Sequence, residues 1–509
     1  MSNERLLPGP VAYGIAQSFD YNTTNQAGKL EYLHQVGQEY VRRGNPEFYD
    51  AGFLEDHIAE QKRRQQEANF SFTWAPENPF GNFLKLNTQR EATVIPGPIS
   101  VENVEALLQQ EPDIKNIVLG IYLNGYSQFR EVSRHLRRYH PNVKIVAGAV
   151  GTLLPETATL ADYLIGGNQI NDMRSLLGEP NLPLKVTVVP AKTSTSFNGR
   201  TKESTYGIMM SSYGCFYVCD FCPTTAQFHG RFSHPHSADE IVAAIHQAHE
   251  LIGNTDQPMS LSLGDPQGMG DFPVWKEVFK RCKNMGFMVE LATTTSSKIL
   301  KQYSPEELTG GDLCVTCVNI GVESMLNPYV KNDGIDLQAE IAEYQAAGVK
   351  IAATFIIGHD WQSKENLNQE IEKLQILSPC GYIFSNMMME PGTAIFEKMQ
   401  QNGRLLNVPP EFLSAYGFQA FHHPYFQAGF KDMVPVLADV ETRLNQGTAM
   451  FGRDLEIFLN RNNPRLKPLQ RELRQKLKTV KNDEEKARIF YDLAFRNIDL
   501  FHPYLTWNV

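Results

Sequence analysis

Residues 206–222 read YGIMMSSYGCFYVCDFC, an apolar run followed at once by Cys215, Cys219 and Cys222 at C-x3-C-x2-C spacing. The run has the length and character of a buried strand, so the cysteines fall in the loop at its C-terminal end. Three thiolates at this spacing can ligate three irons of a four-iron cube and leave the fourth open, whereas an electron-transfer cluster normally takes four cysteines. An open iron can chelate the amino and carboxylate groups of S-adenosylmethionine (SAM) and bring its sulfonium close enough to accept an electron. The rival reading is a zinc knuckle completed by His229, His234 or His236. A loop at the C-terminal mouth of a barrel strand suits catalysis better.

Downstream, five more apolar runs end in turn residues: MSLSLGD (259–265), VELATTT (289–295), CVTCVNIGVE (314–323), KIAATFIIG (350–358) and GYIFSNMMM (381–389). Helical periods such as SADEIVAAIHQAHELI (237–252) and DLQAEIAEYQAAG (336–348) separate them. Six strand-helix units predict a parallel barrel or partial barrel over 200–400. Upstream, VTVVPAKTSTSFNGRTKEST (186–205) reads as a linker rich in Pro, Ser and Thr. Before it, IKNIVLGIYL, FREVSRHLRRY, VKIVAGAV and ADYLIGG alternate strand and helix, which predicts a doubly wound parallel sheet over 91–190. Residues 1–90 are polar and irregular, with a helix-like stretch around Glu55–Glu67, and take no assigned role. Residues 401–509 are helical and charged. The expected fold is thus α/β, with a Rossmann-like sheet, a partial (β/α)6 barrel and a helical C-terminal region.

At 509 residues, 42% hydrophobic and 20% charged, the chain has the composition of a folded protein of several domains. A net charge of -10 gives no basic face for nucleic acid. No apolar run approaches the roughly 20 residues of a membrane span, and the N-terminus lacks a signal-peptide pattern, so a cytoplasmic location is expected. Seven cysteines are too few and too irregularly spaced for a disulfide framework. Cys314 and Cys317 lie inside an apolar strand, where residues three apart face opposite ways, so they are not expected to share a metal. Cys282 and Cys380 read as isolated thiols.

The cysteine spacing, with aromatic Phe221 just before the third cysteine, resembles the signature of the radical SAM superfamily. The resemblance implies a 4Fe-4S cluster on Cys215, Cys219 and Cys222, with the Phe221 segment against the adenine of SAM. Gly264-Asp265 resembles the acidic motif of the second strand, with Asp265 accepting from the methionyl amino group. Gly321-Val322-Glu323-Ser324 resembles the fourth-strand motif, with Glu323 on the ribose hydroxyls. The run ending at Gly358 resembles the fifth-strand motif whose backbone packs on adenine. His359 and Asp360 replace a more usual Leu-Pro and are expected to face substrate. Thr294 and Ser296 are weaker candidates for SAM or substrate contact. Glu390, in Glu-Pro-Gly-Thr, is expected at the mouth, and the three methionines before it read as pocket lining or as ordinary core.

Residues from IVLGIYL to LIGGN resemble the cobalamin-binding domain found before many radical SAM barrels. Gly148, Gly151 and Thr152 would form the loop that admits cobalamin, and Tyr122 would lie under the cobalt. Two departures are visible: there is no Asp-x-His-x-x-Gly, and Gly148-Ala149-Val150-Gly151 stands where Gly-Gly-x-His is common. The domain's first strand is not recognisable. The resemblance implies a cobalamin-dependent methyltransferase acting on an unactivated carbon of a small or lipid-like molecule, with an electron donor such as flavodoxin or ferredoxin. Radical cyclisation, rearrangement or carbon-carbon coupling remains open, as does a non-catalytic cluster-bearing regulator. The segment FQAFHHPYF (418–426) is expected to close the pocket, with His422 and His423 as acid-base candidates or as an ordinary solvated pair.

Overall fold

The computed structural model describes residues 6–16, scattered positions between 31 and 63, and residues 70–76, 78–166, 170–197, 200–253, 258–445, 448–461 and 466–497. The helix-like stretch around Glu55–Glu67 lies largely outside the described residues. Two sheets carry the fold. The first has the order β3-β1-β4-β5-β6, formed by β1 (Val11–Ala16), β3 (Ala92–Pro98), β4 (Asn116–Ile121), β5 (Lys144–Gly148) and β6 (Tyr163–Ile165). All its pairs are parallel. Helices α1 (Val101–Gln110) and α2 (Tyr126–Tyr139) cover one face, where Val104, Tyr126, Phe129 and Leu136 meet Ile117, Leu119 and Ile145. Phe83, Leu84, Met173 and Leu177 cover the other face. A parallel sheet buried on both faces needs continuous apolar strands, and both β1 and β4 are buried throughout. The strand missing from the sequence reading is therefore β1, which comes from the unassigned N-terminal region and pairs between β3 and β4.

The second sheet has the order β15-β14-β13-β12-β11-β8-β7-β2. Its parallel part comprises β8 (Arg200–Met210), β11 (Met259–Leu263), β12 (Val289–Thr295), β13 (Leu313–Glu323), β14 (Lys350–Ile357) and β15 (Gly381–Asn386). These are the six strands expected from the sequence. The segment read as a linker instead forms β7 (Thr187–Phe197) and the first half of β8, an antiparallel hairpin to which β2 (Phe70–Pro76) adds. Its Ser, Thr and Lys break up any continuous apolar run, so the segment reads as a connection although it pairs along its whole length.

Helices α4 (Ala238–Ile252), α5 (Phe272–Arg281), α6 (Leu337–Ala346) and α7 (Lys364–Leu377) pack on the parallel strands through one large core. Ser237 starts α4 with a capping box to Glu240, which satisfies two otherwise unpaired N–H groups. After α8 (Met433–Asn445), helix α9 (Thr448–Asn460) reaches the N-terminal ends of the strands. There Lys350 pairs with Asp454 at 3.4 Å and Glu290 with Arg461 at 2.8 Å, all four buried. Helices α10 (Lys467–Leu477) and α11 (Asp483–Arg496) complete a small core around Phe458, Leu473 and Phe490. The opposite, C-terminal mouth of the strands is left for chemistry.

Candidate functional site

β8 leads into a two-residue strand β9 (Tyr213–Gly214) that pairs antiparallel with β10 (Phe232–Ser233). Gly214 has φ +74, and a Cβ there would lie 2.1 Å from the Arg231 carbonyl oxygen, so only glycine allows this turn. The turn delivers Cys215, Cys219 and Cys222 to the mouth, each half-buried, and Cys222 precedes helix α3 (Pro223–Phe228). The Tyr217 N–H donates to Cys215 Sγ at 3.4 Å. Burial pushes the Cys219 thiol up to about 12, against the pull of the Lys331 ammonium. Cys215 is raised by the same desolvation. Thiols in such surroundings give up their protons to a metal, which supplies the missing positive charge.

Asp265, just beyond β11, is 2% exposed. Its Oδ1 accepts from the Ser211 N–H at 2.8 Å and its Oδ2 from the Ser211 hydroxyl at 2.5 Å. Burial pushes the carboxyl up to about 6, against the pull of hydrogen bonds from Ser211 and Ser212. The sequence reading aimed Asp265 at a ligand amine; the structure ties it first to the end of β8, leaving each oxygen a second lone pair. Gln267, two residues on, is the group that meets the cysteines. Its Oε1 lies 3.7 Å from Cys215 Sγ, and its Nε2 donates to Thr295 Oγ1 at 2.8 Å and Ser296 Oγ at 3.2 Å. Ser296 also reaches the Tyr217 hydroxyl at 3.2 Å. Ser296 thus joins the site through Gln267.

Glu323 ends β13 at φ +64, a left-handed conformation that costs a non-glycine residue about 1 kcal/mol or more. Its Oε1 takes the Lys331 ammonium, and its buried Oε2 has no hydrogen-bond partner among the described residues. His359 Nε2 lies 3.3 Å from the Glu323 carbonyl oxygen. Phe221 meets the Tyr329 ring edge-to-face at 5.1 Å, and Tyr329 donates to Asp220 at 3.1 Å. The Gly358 N–H donates to Gln362 Oε1 at 2.7 Å at the end of β14.

Several expectations for the mouth are corrected. Asp360 pairs with Arg404 at 2.6 Å and Lys398 at 3.2 Å, so its carboxylate anchors residues 398–404 instead of standing free for substrate. His359 stacks on Trp361. His423 is bound to the His359 carbonyl oxygen at 2.8 Å and accepts the Tyr425 and Phe426 N–H groups, so it braces FQAFHHPYF against the strand end. Met387 and Met389 are core residues with Phe412, Phe418 and Phe421. Glu390 has no partner for its buried Oε2 among the described residues, and burial pushes it up to about 7.

The first sheet presents its own strand ends to this mouth. Gly151 lies against β4: an added Cβ would sit 2.3 Å from Ile121 Cγ2. Gly148 ends β5, and Thr152 closes the following turn by donating to the Ala149 carbonyl oxygen at 2.7 Å. A Cβ on Gly392 would lie 2.9 Å from Leu153 and 3.4 Å from Ala226, so this loop, the Pro-Gly-Thr segment and helix α3 meet. Leu123 and Val150 enter the core of Met387 and Met389. Glu411 accepts the Ser127 N–H at 2.5 Å and caps α2 from across the interface. Tyr122, just beyond β4, keeps 40% of its surface exposed. Buried Asn124 Oδ1 and Gln128 Oε1 lack partners among the described residues.

No protein-family model and no curated protein matches the chain. Among solved structures it is similar to the radical S-adenosylmethionine methyltransferase TsrM from Kitasatospora setae, with cobalamin and a [4Fe-4S] cluster bound. The TM-score is 0.53 over 86% of this chain and 89% of that one, at 10% identity. It is similar also to OxsB, a cobalamin-dependent S-adenosylmethionine radical enzyme with aqua-cobalamin and S-adenosylmethionine bound, with TM-score 0.50 over 84% and 73% at 12% identity. The chain has the fold of cobalamin-dependent radical SAM enzymes. The fold expected from the sequence is borne out, with the added β1, β2 and β7.

Within this radical SAM fold the residues present fit three groups. Three thiols beside a backbone N–H and an ammonium suit a cluster. Asp265, a buried carboxylate with no ion pair among the described residues, and a half-paired Glu323 suit a ligand carrying an amine and hydroxyls. The exposed Tyr122 ring, with amide oxygens at Asn124 and Gln128 that lack partners among the described residues, suits a large ligand rich in N–H donors. Sequence reasoning missed Gln267, Lys331, Tyr217, Tyr329 and Glu411. Only Gln267 carried a signal, its place in the loop just after β11.

Proposed function

We propose that this protein is a radical SAM enzyme that carries out cobalamin-dependent methylation of an unactivated carbon in a small or lipid-like molecule. The observation that carries the reading is the convergence of Cys215, Cys219 and Cys222 with the strand-end carboxylates Asp265 and Glu323 at one mouth. Bound there, the cluster and SAM would supply a hydrogen-abstracting 5'-deoxyadenosyl radical, and cobalamin a methyl group. The chain's own contribution is binding and exclusion. Cys215, Cys219 and Cys222 hold the cluster, and Gln267 and the Tyr217 N–H orient Cys215. Asp265 offers a lone pair to the amine of SAM, Glu323 offers Oε2 to the ribose, and Phe221 and the Gly358 backbone border the adenine. Lys331 pairs with the other oxygen of Glu323 and fixes the carboxylate at the strand end. Gly148, Gly151, Thr152 and Tyr122 would border the cobalamin. The segment 418–426, held by His423, limits water at the mouth. An electron donor such as flavodoxin or ferredoxin is required for turnover.

The test is anaerobic purification with cobalamin supplied, measuring iron and corrinoid per chain, followed by reduction with SAM present. Iron, corrinoid and release of 5'-deoxyadenosine support the reading. Absence of 5'-deoxyadenosine from reduced, iron-loaded protein defeats it. Product mass then decides the finer point: a gain of one methylene unit supports methylation, and loss of two hydrogens or no change supports cyclisation or rearrangement.

A further inference from the structure

Outside the mouth, α1 and the end of α2 bring together a second set of ligand-type side chains. His135 Nε2 and His140 Nε2 each lie 2.5 Å from Glu105 Oε1, and the three donor atoms all fall within 4.8 Å of one another. The capped N-terminus of α2 lies at the domain interface, and these histidines lie roughly 14–20 Å further along it at 1.5 Å per residue. They are therefore independent of the cluster loop. The ring of Tyr139 lies on His135 at 4.7 Å and restricts its rotation. Glu102, one turn before Glu105 on α1, is near enough to feel the charge of His135. Side-chain exposures of 21%, 28% and 30% for His135, Glu105 and His140 leave the group reachable from solvent.

As hydrogen bonds alone, the arrangement puts two N–H donors on one carboxylate oxygen, closer than the usual range of about 2.7–3.2 Å. No Lys or Arg forms an ion pair with Glu105 among the described residues, so the imidazoles are its counterparts. As ligands, the same atoms are two imidazole nitrogens and one carboxylate oxygen converging from two helices. Zn–N and Zn–O bonds of about 2.0–2.2 Å place tetrahedral ligands roughly 3.3 Å apart, so each contact would open by less than about 1 Å. Half-exposed side chains at helix ends can move that far. The donor set is one that zinc-type cations favour over magnesium or calcium, which prefer all-oxygen shells.

We propose that Glu105, His135 and His140 form a binding site for a divalent transition cation of the zinc type, with Glu102 or water completing the shell. The ion would pin α1 to α2 on one face of the first sheet. The experiment uses the full chain with its iron-sulfur cluster reconstituted, so that the cysteines are occupied. It is dialysed against micromolar ZnCl2, zinc per chain is counted by mass spectrometry, and the zinc edge is examined by X-ray absorption. The expected result is about one zinc per chain with nitrogen and oxygen neighbours and no sulfur. That zinc should be lost at least tenfold in His135→Ala, and also in the shape-conserving His140→Gln and Glu105→Gln, whose circular dichroism should match the parent. Zinc uptake equal in parent and variants, or a sulfur shell around the bound zinc, overturns the proposal.

Discussion

Replacing Asp265 with asparagine should stabilise the cofactor-free protein at alkaline pH and much less in acid. The carboxyl is 2% exposed, and burial has raised it from 3.8 to about 6. An acid whose folded value lies above its unfolded value contributes stability below the unfolded value, and that contribution is lost as pH rises through the folded one. At pH 8 the ionised side chain therefore costs about 3 kcal/mol, from a gap of roughly 2 pH units at about 1.36 kcal/mol each. At pH 4.5 the cost falls to about 1 kcal/mol. Asparagine keeps the shape: its oxygen accepts the Ser211 N–H and its amide donates to the Ser211 hydroxyl. With an unfolding entropy of about 2.1 cal/mol/K per residue, 3 kcal/mol raises the midpoint by about 3 °C if the whole chain melts together, or about 7 °C if a barrel of roughly 200 residues melts alone. The assay is thermal melting of apo-protein at both pH values. An equal gain at both, or destabilisation at pH 8, refutes the reasoning. The same variant should bind SAM more weakly, a trade of function for stability.

Cys219→Ala should abolish the brown colour and reduce iron per chain to background while circular dichroism is unchanged; retained iron would remove the cluster assignment. Gly151→Val forces Ile121 aside, because even the first added carbon meets it at 2.3 Å. It should cost about 1–3 kcal/mol by overpacking and reduce corrinoid per chain when cobalamin is supplied, and unchanged corrinoid would count against cobalamin at this loop. Lys350→Met leaves Asp454 buried without its ammonium and should lower the melting midpoint, at a cost of about 3–5 kcal/mol. No change in midpoint would mean that the pair does not hold α9 to the barrel.

What could be read directly from the chain was whatever is local. The C-x3-C-x2-C loop is a spacing, and the six parallel strands are continuous apolar runs because both their faces are buried. Turn residues such as Gly264 and Gly358 marked their ends. What the chain did not disclose is whatever depends on elements far apart. β1 is a buried run of only six residues whose partners, β3 and β4, lie some 80 to 100 residues later. The hairpin of β7 and the first half of β8 is rich in Ser, Thr and Lys, with no continuous apolar run, and so passed for a linker. Asp360, read as facing substrate, met Lys398 and Arg404, roughly 40 residues further along the chain. Gln267 and Lys331 reach the cysteines only because parallel strands in register bring all their C-terminal ends to one mouth. Spacing and periodicity are properties of neighbouring residues and are legible without a structure. The pairing of a buried carboxylate with Ser211 rather than with a cation is set by sheet register and closure, and only the tertiary structure decides it.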